Sequence, residues 1–160
     1  MVTSFPVTVG RVIDVGTSIE IERSADDVFA FVSEFPNNPR WQRGQVSCTW
    51  TSEPPLRVGS TYDQHARFLG RDMVNHFEVV EYEPGRRVRF TSRGGTFPLT
   101  ITRTVEPLGP DRARFTERAE GDPGRFFHIV APLLRRLVQR SIQRDFPVLK
   151  ALLEGDGGRG

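Results

Sequence analysis

The chain is bounded by two helix-forming segments with only strand-and-turn sequence between them, and this arrangement limits the folds open to it. The front segment runs Ile19-Glu-Ile-Glu-Arg-Ser24-Ala-Asp-Asp27-Val-Phe-Ala-Phe-Val-Ser-Glu-Phe-Pro-Asn-Asn-Pro-Arg-Trp41, and the rear one is a long apolar helix reaching Glu154. A sheet with a short helix pair in front and one long helix behind makes a deep, mostly apolar hollow, because a curved sheet can wrap the last helix without filling the gap.

A length of 160 residues suffices for one buried core and is too short for two. One domain over residues 1–154 is predicted, with Gly155-Asp-Gly-Gly-Arg-Gly160 as a disordered tail. No apolar run approaches the ~20 residues of a membrane span, and the first fifteen residues lack the pattern of a secretory signal, so a cytoplasmic location is expected. The net charge is only +2 and the arginines are scattered, a poor footprint for nucleic acid. Arg136, Arg140 and Arg144 repeat at helical spacing and read as a solvated face. Cys48 is the single cysteine and reads as a small buried hydrophobe on a strand. His65, His76 and His128 lack the short spacing of a zinc motif, and no glycine-rich phosphate loop precedes a helix, so neither metal nor other cofactor is expected. The oligomeric state stays open between monomer and homodimer.

The first strand is predicted over about Val12 to Glu22, with an interruption at Gly16. Ser24 reads as an N-cap with Asp27 three residues on, an Asp variant of the capping box, and Val28, Phe29, Phe31 and Val32 form the apolar face of the helix it starts. Phe35-Pro36-Asn-Asn-Pro39 stops that helix, and Trp41 follows on a short second helix or turn. From Gln45 the pattern becomes alternation broken at Glu53-Pro54-Pro55, Gly70-Arg-Asp72, Glu83-Pro84-Gly85, Gly94-Gly95 and Gly109-Pro110-Asp111, which predicts an antiparallel meander of about six strands. The last helix spans about Pro123 to Glu154, and Pro132 and Pro147 inside it imply a break before Pro132 or kinks at both.

The order strand, two short helices, six-stranded meander and long C-terminal helix resembles the START-like helix-grip superfamily known as SRPBCC, and within it the polyketide cyclase/dehydrase type. The best local matches are Ile21-Glu-Arg-Ser-Ala-Asp-Asp-Val28-Phe29 through Pro39-Arg-Trp41, then Val58-Gly59, Val79-Val-Glu-Tyr-Glu-Pro84-Gly85 and Leu149-Lys-Ala-Leu-Leu-Glu154. The resemblance covers nearly the whole chain. It implies an α+β fold in which a curved antiparallel sheet of about seven strands wraps the C-terminal helix around a cavity. It leaves the chemistry open, since the superfamily includes cyclases, lipid carriers and partner-binding subunits.

Alternation puts Arg103 on the same strand face as Phe97, Leu99, Ile101 and Val105, and Glu117 on the face carrying Ala113, Phe115 and Ala119. A hairpin near Gly109 sets the two charges opposite or diagonal, which predicts an inward ion pair at the pocket; a purely structural pair, or a bulge that turns them outward, is the alternative. Tyr62, Gln64 and Phe68 share a face, and a pocket tyrosine can donate to a carbonyl oxygen or simply anchor packing. The facing of His76 is undecided, because Phe77/Val79 and Val74/Val80/Tyr82 both offer apolar faces. The predicted catalytic set is Arg103 and Tyr62 polarising a carbonyl, Glu117 orienting Arg103 and His76 accepting the proton; Arg103→Leu is then expected to abolish turnover while the fold survives. The predicted ligand lining is Trp41, Gln64, Phe68, Phe90, Phe97, Ile101, Phe115, Phe126, Val130 and Leu134. The functional expectation is binding of a hydrophobic or aromatic, polyketide-like or lipid-like small molecule, with or without cofactor-free cyclisation or dehydration. A non-catalytic carrier or sensor, and a partner-binding module with a filled cavity, are the alternatives.

Overall fold

The computed structural model describes residues 3–5, 13–68, 70–94, 98–121 and 131–155, with the backbone alone at 3–5, 68 and 131. Chain order is β1 (Thr3–Phe5), β2 (Ile13–Ile21), α1 (Ala25–Ser33), a 3-10 helix (Phe35–Arg40), β3 (Gln45–Trp50), β4 (Thr61–Phe68), β5 (Arg71–Glu83), β6 (Arg87–Ser92), β7 (Leu99–Gly109), β8 (Arg112–Gly121) and α2 (Ala131–Gly155). The strands form one sheet in the order β1-β2-β8-β7-β6-β5-β4-β3. Every neighbouring pair is antiparallel. Six strands of meander lie between Gln45 and Gly121, as the turn signals predict, and β1 is an added edge strand that the sequence pattern does not show.

β2 and β3 are consecutive in sequence yet stand at opposite sides of the sheet from one another. The chain between them must cross the sheet, and it does so as α1 and the 3-10 helix. Ser24 caps α1, its Oγ accepting from the Asp27 N–H at 3.2 Å. The Asp27 carboxylate turns to Arg23 at 3.1 Å, so an ion pair stands where the reciprocal half of a capping box would be. Val28, Phe29 and Val32 are buried beneath the helix, while Phe31 lies under the Arg40 guanidinium at 5.1 Å.

β2 is continuous, contrary to the interruption expected at Gly16. Gly16 pairs with Arg118 on one side and Phe5 on the other, so ladders on both flanks hold it extended. Gly85, in the Glu83-Pro84-Gly85 turn, has φ +75°, a conformation in which an L side chain is strained. Pro147 lies within α2 and Pro132 in its first described turn, where a missing N–H costs least. Residues 122–130, where the helix was expected to begin, and the tail beyond Gly155 fall outside the described residues. The end of α2 is fastened to the β2–α1 junction: Arg23 Nη1 donates to Leu153 O at 3.0 Å, Lys150 Nζ to Glu20 O at 2.8 Å, and the Glu22 N–H to Glu154 Oε1 at 2.9 Å. The sheet thus grips the helix, the helix-grip architecture expected from the element order.

Core packing fills only part of the hollow. Phe146 of α2 meets Phe115 at 5.2 Å and Trp41 at 6.2 Å between ring centres, and all three are buried. A second aromatic group joins Phe35 to Tyr62 at 4.4 Å and to Phe90 at 4.7 Å. Each large side chain so withdrawn from water contributes roughly 1.5–3 kcal/mol. Among the described residues no helix is long and apolar enough to cross a membrane.

Candidate functional site

Strands β4 to β7 present alternate residues to the inner side, and there a cavity of about 270 Å³ remains, bordered by the segment after α1 and by Leu134 of α2. Met73, Phe77, Phe90, Leu99, Ile101 and Leu134 give it apolar walls. Asn38, Gln42, Gln45, Gln64, Asn75 and Ser92 place neutral polar groups among them, and Arg103 joins the lining. Gln45 Nε2 donates to Gln42 Oε1, which leaves the buried Gln45 Oε1 without a partner among the described residues.

Arg103 is 1% exposed, an unusual position for a guanidinium. Register explains it: Arg103 lies directly opposite Glu117, so both project from the inner face. Nε donates to Glu117 Oε2 at 2.7 Å; Nη1 donates to Val32 O and to Asn38 Oδ1, each at 2.8 Å. Val32 belongs to the last turn of α1, where carbonyls lack helical partners and a cation is favoured. The rings of Trp41, Phe90 and Phe35 stand 5.0, 5.4 and 5.6 Å from the guanidinium carbon, within cation–π range. No described residue accepts from Nη2. The pair therefore has both a structural duty, fastening α1 to the sheet, and an unused donor on a residue that lines the cavity.

The other expected catalytic residues lie elsewhere. Tyr62 is fully buried, stacked on Phe77 at 5.1 Å and edge-on to Phe90 at 5.8 Å, so it stands behind two lining residues and not among them. Burial pushes its hydroxyl well above the usual tyrosine range, and that hydroxyl has no hydrogen-bond partner among the described residues. His76 projects from the outer face, its side chain 62% exposed, and its Nδ1 contacts Asp63 Oδ1 at 2.6 Å. It cannot act as a proton acceptor in the cavity, because the strand turns Phe77 and Val79 inward. Burial raises the Cys48 thiol to about 12, which leaves it inert as a nucleophile.

Of the expected lining, Gln64, Phe90, Ile101 and Leu134 border the cavity, whereas Trp41 and Phe115 are consumed in core packing around Phe146. Phe97, Phe126 and Val130 fall outside the described residues, as does the Phe68 side chain. The amides Asn38, Gln42, Gln45 and Asn75 were not anticipated; Asn75 shares strand parity with Phe77 and was the one with a readable signal. No group of three or more His, Cys, Asp or Glu that could hold a metal ion occurs among the described residues.

Fold and cavity together define a helix-grip domain, an open sheet that holds a long helix above a partly filled hollow. The chain belongs to the family described as polyketide cyclase/dehydrase and lipid transport, whose pattern matches residues 12–154. A START superfamily protein from Mycobacterium smegmatis superposes with a TM-score of 0.74 at 17% identity, over 91% of this chain and 99% of that one. A Thermus thermophilus protein gives 0.77 at 16% identity over 91% and 99%. The di-domain ARO/CYC StfQ from the steffimycin biosynthetic pathway gives 0.74 at 13% identity, over 91% of this chain and 52% of its own length. At these identities the likeness is one of fold. Among curated proteins none matches the sequence significantly.

Proposed function

We propose that the chain binds a small hydrophobic molecule bearing carbonyl or hydroxyl oxygens, of polyketide-like character, between its sheet and α2. The observation that carries this reading is that Arg103, whose Nη2 donates to no described residue, lines a cavity whose other described walls are apolar side chains and neutral polar groups. A carbonyl would accept from that Nη2, and the neutral amides of the lining would meet a hydroxyl. A plain hydrocarbon chain would leave the donor unsatisfied, at roughly 1–3 kcal/mol for a buried polar group. The size of the cavity suits a compound of one to three rings.

The same donor supports a second reading, cofactor-free cyclisation. An aldol-type ring closure develops partial negative charge on a carbonyl oxygen, and the Arg103 Nη2–H would donate to that oxygen as the charge forms, without a full anion resting in the cavity. The described lining offers no side chain suited to general-base work, so the proton of an acidic carbon, such as the methylene of a 1,3-dicarbonyl, would pass to a solvent water as the new C–C bond forms and be returned to the alkoxide oxygen that ring closure creates. The family description and the ARO/CYC relative support cyclase chemistry without deciding between it and carriage.

The test is to purify the protein under native conditions, identify co-purifying small molecules by denaturing mass spectrometry, and measure thermal shifts with aromatic ketones and phenols. At a hundredfold excess over Kd a ligand adds about 2.7 kcal/mol, a rise in Tm of roughly 5–10 °C for a domain of this size. No co-purified compound and no shift with any probe would favour a partner-binding module.

A further inference from the structure

The charge of the described lining bears on what the cavity can hold. Among the described lining residues Arg103 alone is ionised, and its guanidinium already faces Glu117 Oε2 at 2.7 Å, Val32 O at 2.8 Å and Asn38 Oδ1 at 2.8 Å. The two charged side chains are 1% and 4% exposed, so salt and water screen them little. Their charges sum to zero. A ligand carboxylate would bring a second anion to a guanidinium that already has one and leave an excess negative charge beside a buried ion pair and the apolar walls of Met73, Phe77, Phe90, Ile101 and Leu134. A neutral carbonyl accepting from Nη2 brings no such excess and gains a charge-assisted hydrogen bond.

Resting on the binding reading above, we infer that the cavity discriminates by ligand charge, taking neutral ketones and phenols and rejecting carboxylates of the same shape, with Glu117 as the residue that sets this selectivity. Free fatty acids then lie outside its ligand class, although their chains suit the walls. Glu117 acts from behind: it is absent from the described lining, and it reaches the ligand only through the guanidinium it neutralises. Replacing it with glutamine keeps the side-chain volume and an oxygen for the Arg103 Nε–H. It removes one negative charge, which makes the site cationic and turns the preference toward anions.

The experiment is calorimetric titration near neutral pH with pairs of isosteric probes in three sizes: acetophenone and benzoate, 2-acetylnaphthalene and 2-naphthoate, 2-acetylanthracene and anthracene-2-carboxylate. In the wild-type protein each ketone that binds should do so about tenfold or more tightly than its carboxylate. In Glu117→Gln the carboxylate should gain about tenfold or more relative to the ketone. A carboxylate that binds the wild type as tightly as its ketone overturns the inference while leaving an occupied cavity intact, and so does an unchanged ratio in folded Glu117→Gln. If that variant does not fold, the wild-type pairs decide alone. Failure of every probe of either charge removes the binding reading itself, and the selectivity with it.

Discussion

Arg103 joins three elements through one guanidinium: β8 by way of Glu117, the last turn of α1 by way of Val32 O, and the 3-10 helix by way of Asn38. Removing it leaves the Glu117 carboxylate buried without its partner and the α1 terminus unfastened. Arg103→Leu should therefore lose about 3–5 kcal/mol of stability by chemical denaturation. Arg103→Leu combined with Glu117→Leu should recover much of that loss, because no charge is then stranded. Losses that simply add in the double variant would show that the two side chains are not coupled. Strand alternation alone made this pair legible, since an arginine and a glutamate each broke an apolar face. Of the cavity amides, Gln64 was expected from its strand face and Asn75 had a signal in its parity with Phe77, whereas Asn38 and Gln42 lie where no periodicity applies.

β5 shows why one element resisted reading from sequence. Its pairing with β6 shifts between Val79 and Glu81, so Phe77 and Val79 point inward before the irregularity and Tyr82 is turned toward Phe29 after it. Two apolar phases coexist on one strand, and a strict period of two cannot choose between them. The fate of His76 depended on that choice. In α2 the wide apolar stripe was plain, but not the polar group within its buried side. Asp145 is 4% exposed and accepts from the Arg43 N–H at 3.4 Å, Arg144 Nε at 3.2 Å and Ser141 Oγ at 3.5 Å. Burial raises its carboxyl above the usual range, outweighing these bonds. The folded state thus holds the proton more tightly than the unfolded one. The resulting stabilisation is complete below the ordinary carboxylate pKa of about 4 and is lost as pH rises through the raised value. Asp145→Asn should raise Tm by a few degrees near neutral pH and flatten its dependence across mildly acidic pH. An unaltered pH profile would show that Asp145 is not charged at a cost.

Across the whole molecule, the element order was readable because each turn carries its own chemistry and each helix its own stripe. How much of the hollow stays empty was not, since that depends on which aromatic rings meet across elements far apart in sequence. Trp41, Phe115 and Phe146 close one part, and the space beside Leu134, Ile101 and Arg103 persists. Leu134→Trp would fill that space from the helix side at a strain cost of about 1–3 kcal/mol. The most direct test of an occupied cavity is calorimetric titration of 2-acetylnaphthalene into the wild-type protein and into Leu134→Trp, each first shown to be folded by circular dichroism. Saturable binding to the wild type that weakens about tenfold or more in the variant is the predicted result. Equal affinity in both proteins would contradict it by placing the ligand elsewhere on the molecule.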